Sequence, residues 1–285
     1  MRASALLLVA MSLPLVTAGA QAESRWRSLD VSRQLRDTAP QRIKVQYGAG
    51  RVDVRGTDAA LLYDMHLRYD EHRAAPLHRY DPEQRAVVLG LEPRSVSSNV
   101  SSGGGRESGE LRLLLPRSVP LDLDLEFGGA AASLELGGLT LQSVRLECGA
   151  TDATLNFTTP NRAHMRELVV DVGAASFTAL HLGNANADEV RVRGGMGAVD
   201  LDFSGSWQRD LSVVTRLGIG KTTLRVPEDV GVRIEIQRVA AGFDHEGMVK
   251  RDDAWYSRNW DSARRKLRIR AETVFGALEL QRSTR

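Results

Sequence analysis

A single cysteine, Cys148, occurs in the 285 residues. No disulfide can therefore close within the chain, and a hydrophobic core has to hold the fold. Long apolar runs are missing beyond residue 16, so nothing after the N-terminus offers the roughly 20 apolar residues of a membrane-crossing helix. Charge of one sign is missing too. With 38 Lys and Arg against 36 Asp and Glu, nucleic acid is excluded as an expected partner. Aromatic residues make up only 5% of the chain, with four tryptophans, so any place that gathers them stands out.

What is present begins with a leader. Met1-Arg2, an apolar stretch over residues 3–16 and the small residues Ala20-Gln21-Ala22 have the layout of a secretory signal peptide, with cleavage expected after Ala22. No cysteine near that point could accept a lipid. The expected product is periplasmic or secreted, without stable membrane insertion. Loss of Arg2 with the leader leaves 37 basic against 36 acidic groups.

The body of the sequence repeats. Seven alternating segments begin at Leu121, Val144, Leu168, Val190, Val213, Val232 and Leu267, with corner glycines at Gly128, Gly149, Gly173, Gly195, Gly218, Gly242 and Gly276. The first six glycines are 21, 24, 22, 23 and 24 residues apart. Each unit reads as an alternating strand, a glycine corner, a second alternating strand and a polar turn. One such rung cannot bury its own apolar edge, whereas stacked rungs form a continuous core. The expected fold is all-β, a parallel β-solenoid with rungs of 21–24 residues and a small N-terminal β portion.

Alternation predicts that Leu134, Leu136, Leu155, Phe157, Leu180, Leu182, Leu201, Phe203, Leu224, Val226, Leu278 and Leu280 point inward. The residues between them, Glu135, Asn156, His181, Asp202, Arg225 and Glu279, are then a solvated outer column. Aligning Leu123, Leu125 and Phe127 with Val144, Leu146 and Cys148 makes the cysteine a small buried hydrophobe rather than a nucleophile.

Three divisions are expected: a signal peptide over 1–22, an N-terminal β portion over 23–110 and the solenoid over 111–285. Residues 23–40 show no clean period and read as a mobile arm or short helix, and the Ser/Gly-rich stretch 97–109 as a flexible loop. GAGRVDVRG from Gly48 has the same corner-then-strand grammar as the repeats. The N-terminal portion is thus either a separate small domain or the first irregular rungs.

Motifs that carry chemistry fail on inspection. GIGKTT over 218–223 has Thr215 where a phosphate-binding loop needs glycine, and the residues after it read as a strand, not a helix. His66, His72 and His78 are six residues apart, which matches no common metal-ligand spacing. Asp122, Asp124, Asp200 and Asp202 suit the groove of a polysaccharide lyase or hydrolase, yet outward strand positions are polar in any soluble sheet. No catalytic, metal or cofactor residue is expected.

The stretch 245–266, HEGMVKRDDAWYSRNWDSARRK, interrupts the rung spacing and gathers aromatics beside Lys250 and Arg251. Trp255, Tyr256, Arg258 and Trp260 are therefore the candidate interaction surface. The competing reading is that these aromatics cap the open end of the stack.

GIGKTTLRVPEDVGVRIEIQRVAAGF over 218–243, with AWYSRNW, KLRIRAE and VFGALEL after it, resembles the toast-rack family of bacterial extracytoplasmic proteins. It is similar as well to the C-terminal domain of the LiaF cell-envelope stress regulators and to adhesin β-solenoids. The resemblance spans residues 41–285. It implies a non-enzymatic, adhesin-like scaffold or binding protein of the cell envelope, linked to stress sensing, with an envelope protein or a glycan as partner. The multi-helix membrane region of the LiaF regulators is missing. The alternative function is a polysaccharide-active β-helix enzyme, and the sequence leaves the oligomeric state open.

Overall fold

The computed structural model describes residues 24–94, 108–150, 152–244 and 247–284. The expected signal peptide and most of the Ser/Gly-rich stretch lie outside the described residues. The N-terminal strands are β1 (Trp26–Gln34), β2 (Gln41–Thr57), β3 (Leu61–Asp70), β4 (Ala74–Asp81), β5 (Ala86–Pro93) and β6 (Glu110–Pro116). The repeats supply β7 (Pro120–Glu135), β8 (Thr140–Cys148), β9 (Ala153–Asn156), β10 (Met165–Leu180), β11 (Ala187–Asp202), β12 (Leu211–Pro227) and β13 (Val230–Asp244). A hairpin of β14 (Met248–Arg251) and β15 (Ala254–Ser257) precedes the final strand β16 (Arg265–Ser283).

The long strands bend near their corner glycines into two arms, and they stack in parallel in the order β2, β7, β8 with β9, β10, β11, β12, β16, β13. This is a parallel β-solenoid. Inward columns run straight down it: Ile43, Leu123, Val144, Leu168, Val190, Val213, Ile269 and Ile234 are one register line, each at most 2% exposed. Cys148 lies in line with Phe127 and Val172 and is buried, as the alternation requires.

Glycine at the corner has a steric cause. A Cβ on Gly128, Gly149, Gly173, Gly195 or Gly218 would stand 2.5–2.8 Å from the carbonyl oxygen of the glycine one rung back. Only a residue without a side chain lets the backbones approach that closely. The return turns are held by buried amides. Asn161 accepts from Leu141 N and donates to Leu141 O, while Asn184 donates to Phe157 O and accepts from Ser206 N, so their polar groups are satisfied.

Several expectations need correction. The seventh repeat, β16, lies between β12 and β13 rather than after them, so β13 is the terminal rung. Gly276 consequently pairs with Gly220, and Gly242 with Ala277; neither belongs to the corner column of Gly218. Glu279 pairs with Thr223 and not beside Arg225, whose neighbour is Gln281. In β10 the inward residue is Ala179, 1% exposed, while Leu180 is partly exposed and pairs with the outward Asn156. His181 leaves the outer column for a left-handed turn position at φ 56°. Residues 26–34 are neither arm nor helix but β1, antiparallel to β3.

The N-terminal strands join the stack without a break in hydrogen bonding. β2 pairs with β7 along both arms, and beyond it the arms separate, one extended by β5 and β4, the other by β6, β3 and β1.

Candidate interaction surface at the C-terminal cap

The glycine column leaves a groove of about 1130 Å³ down the corner of the stack. Its rim carries Glu126, Glu147, Asp171, Arg193, Arg216 and Glu272. These charges neutralise one another or their neighbours: Arg193 Nε lies 2.7 Å from Asp171, Arg216 Nε 2.8 Å from Glu272, and Arg145 2.6 Å from Glu147. Lys44, helped by Gln46, holds the Glu126 carboxyl below its ordinary range. Cys148 lines the same groove, where burial pushes its thiol up to about 12, so it is not poised as a nucleophile.

The three histidines are not assembled. His66 bonds Asp30 at 2.6 Å, His78 lies in β4 rather than in a turn and bonds the Tyr63 hydroxyl, and His72 is exposed in the turn between β3 and β4. Among the described residues no group of three or more His, Cys, Asp or Glu is placed to hold a metal ion. GIGKTT runs along β12 and continues as strand to Pro227. Asp122 is tied to Ser143 and to Arg166. No helix among the described residues is long and apolar enough to cross a membrane.

At the terminal rung β15 pairs antiparallel with the first arm of β13, placing Tyr256 opposite Arg233 and Trp255 opposite Ile234, and β14 pairs with β15. Strand alternation then separates the two neighbouring aromatics. Trp255 sits on the side of Ile234, packs against the core and meets the Phe243 ring edge-on at 5.8 Å. Tyr256 sits on the outer side and meets Trp260 edge-on at 5.5 Å. Two cations accompany each outer ring. Arg251 and Arg233 lie 5.4 and 5.8 Å from the Tyr256 centroid, and Lys266 and Arg268 lie 5.2 and 5.7 Å from that of Trp260. Such separations are attractive cation–π geometry. Arg233 also donates to the Tyr256 hydroxyl at 2.9 Å, a bond that raises the guanidinium pKa. Arg258 is exposed and makes none of these ring contacts.

Of the four residues singled out from sequence, Tyr256 and Trp260 come together outside, Trp255 turns inside and Arg258 stands apart. Arg233 and Arg268 were missed because they belong to rung segments, and Lys266, which closes the stretch 245–266, was not singled out within it. Their outward position was readable from alternation, but not their meeting with a hairpin from elsewhere in the chain.

The fold and this surface define a parallel β-solenoid whose terminal rung carries an aromatic, basic cap. The family model described as the N-terminal domain of toast_rack, DUF2154, matches residues 21–166 and 161–225, and the chain belongs to this family. The match covers the N-terminal strands as well as the repeats through most of β12; AWYSRNW and the segments after it lie beyond it. Among solved structures, a putative cell adhesion protein from Clostridium sporogenes is 17% identical with a TM-score of 0.48, over 92% of this chain and 100% of that one. A putative adhesin from Bacteroides fragilis is 8% identical with a TM-score of 0.34, over 92% and 100% of the two chains. A putative adhesin from Parabacteroides merdae is 10% identical with a TM-score of 0.27, over 90% and 96%. The search of curated proteins finds no match.

Proposed function

We propose that this chain is a secreted, non-enzymatic binding protein of the cell envelope, adhesin-like in its role, with residues 111–285 as the scaffold and residues 23–110 closing its other end. Cleavage after Ala22 releases it to the periplasm or beyond. The observation that carries this reading is the cap: Tyr256 and Trp260, with four cations within 6 Å of their ring centroids, form an outward cluster of the composition that dominates interface energetics. The ion pairing of the groove acids supports a role without catalysis. A link to envelope stress sensing belongs to the same reading, since a protein held on the envelope is placed to respond to its state. The test is expression with export in a Gram-negative host, followed by intact mass and sedimentation with washed envelopes. A product beginning at Glu23 that stays with the envelope, without releasing unsaturated sugar ends that absorb in the ultraviolet, is expected. A retained leader removes the export step, and sugar release replaces the reading with the lyase.

A further inference from the structure

We propose that the partner of the outer cap face is an anionic lipid surface; this rests on the cap being the binding surface. Charge is the first argument. Residues 245–270 contain eight Lys and Arg against four Asp and Glu, whereas the rest of the chain contains 30 against 32. The cap is therefore a net basic surface, and residues 25–55 at the other end of the stack, with eight against three, are a second one that serves as its control. Part of that charge is neutralised, with Arg233 paired to Glu235, Arg251 to Asp261 and Arg268 to Asp210. Lys250, Arg258 and Arg264 are exposed and have no acidic partner among the described residues.

The shape of the cluster is the second argument. Each outer ring already has two of the protein's own cations near its centroid. The surround of both rings is thus cationic, which favours an anionic partner over a neutral sugar. The result is an array of cations around half-buried Tyr and Trp, with Val249, 45% exposed, directly opposite Tyr256 in the hairpin ladder. Tyrosine and tryptophan settle at the headgroup level of a bilayer, and clustered Lys and Arg are drawn to an anionic leaflet. The chain has the composition of a surface contact and needs no spanning element to make it.

The experiment is co-sedimentation of the mature protein with vesicles of pure phosphatidylcholine and with vesicles containing phosphatidylglycerol, beside washed envelopes and soluble polygalacturonate. Wild type is expected to partition at least about tenfold more onto the phosphatidylglycerol vesicles and to be released by about 0.5 M salt. The variant Arg258→Glu/Arg264→Glu/Lys266→Glu should lose that binding. Arg36→Glu/Arg42→Glu/Arg51→Glu, which makes the same charge change at exposed positions far from the cap, should keep it. Equal binding to both vesicles, no binding to either, undiminished binding by the cap variant, or tighter binding to polygalacturonate would each overturn the lipid assignment. If wild type ignores vesicles yet remains on envelopes through the cap, the lipid inference fails and the binding role stands. If the cap variant remains on envelopes like wild type, the binding role fails as well.

Discussion

The middle of the stack and its two ends are built from the same alternating strands, but by different rules. From β7 to β12 each rung pairs in parallel with the next one in sequence, and the inward columns continue without interruption. At the N-terminal end the two arms of β2 run out into antiparallel strands, β5 with β4 and β6 with β3 and β1. At the C-terminal end β16 slips inside β13, and the β14–β15 hairpin covers the first arm of that rung. Repetition can lengthen a solenoid but cannot end it, because each rung offers an unpaired edge to the next. Ending it takes strands outside the repeat, and those strands are free to gather Trp255, Tyr256 and Trp260, which the rung pattern has no place for.

The largest effects should come from the middle. Leu155 and Leu201 are fully buried, and either change to alanine should cost about 2–5 kcal/mol in a denaturant titration. Thr178 stands between them in sequence on an outward column, and Thr178→Ala should stay within about 0.5 kcal/mol. Equal losses would reverse the two faces.

Next in size is the corner that distinguishes one glycine from another. Gly276 has φ +131° and its Cβ would stand 1.7 Å from the Gly220 carbonyl oxygen, so Gly276→Ala should cost about 1–3 kcal/mol or more. Gly242 has nothing within 4 Å of a built Cβ, and Gly242→Ala should be nearly silent. The opposite ranking would restore the sequential rung order. At the cap, Trp255→Ala should lower stability by about 2 kcal/mol through lost burial, while Trp260→Ala, which gives up only ring contacts near the surface, should cost about 1 kcal/mol.

The smallest effect is the response to acid. Lys44 holds the Glu126 carboxyl below its ordinary value, so this pair contributes fully above the ordinary carboxylate range and is lost as pH falls through the lowered value. Both side chains are about one third exposed, which keeps the contribution modest. Glu126→Gln should flatten the acid side of a stability-against-pH curve; an unchanged curve would show that the pair adds nothing.

Much of the middle was legible because burial on one side of a strand leaves a period of two. Leu134, Leu155, Leu201 and Leu224 follow from alternation alone and are at most 1% exposed. Residue 180 was not legible, because Ala179 and Leu180 are adjacent apolar residues and size alone favours the leucine as the core residue. The order of β16 and β13 was hidden for a different reason. Both have rung-like alternation, and which of them meets β12 depends on the hairpin between them folding back on β13. β1 showed no period because it is an edge strand with no fully buried residue. The aromatic cluster was legible from composition alone, but the separation of Trp255 from Tyr256 required knowing that both lie in a strand.

Function at the end and scaffold in the middle is the central claim, and one paired measurement bears on it most directly: retention on washed envelopes and thermal midpoint, for Tyr256→Ala/Trp260→Ala beside Trp255→Ala. The outer double variant should keep the wild-type midpoint to within a few degrees and lose most of its retention, while Trp255→Ala should lose midpoint first. Full retention by a folded Tyr256→Ala/Trp260→Ala protein would contradict the account.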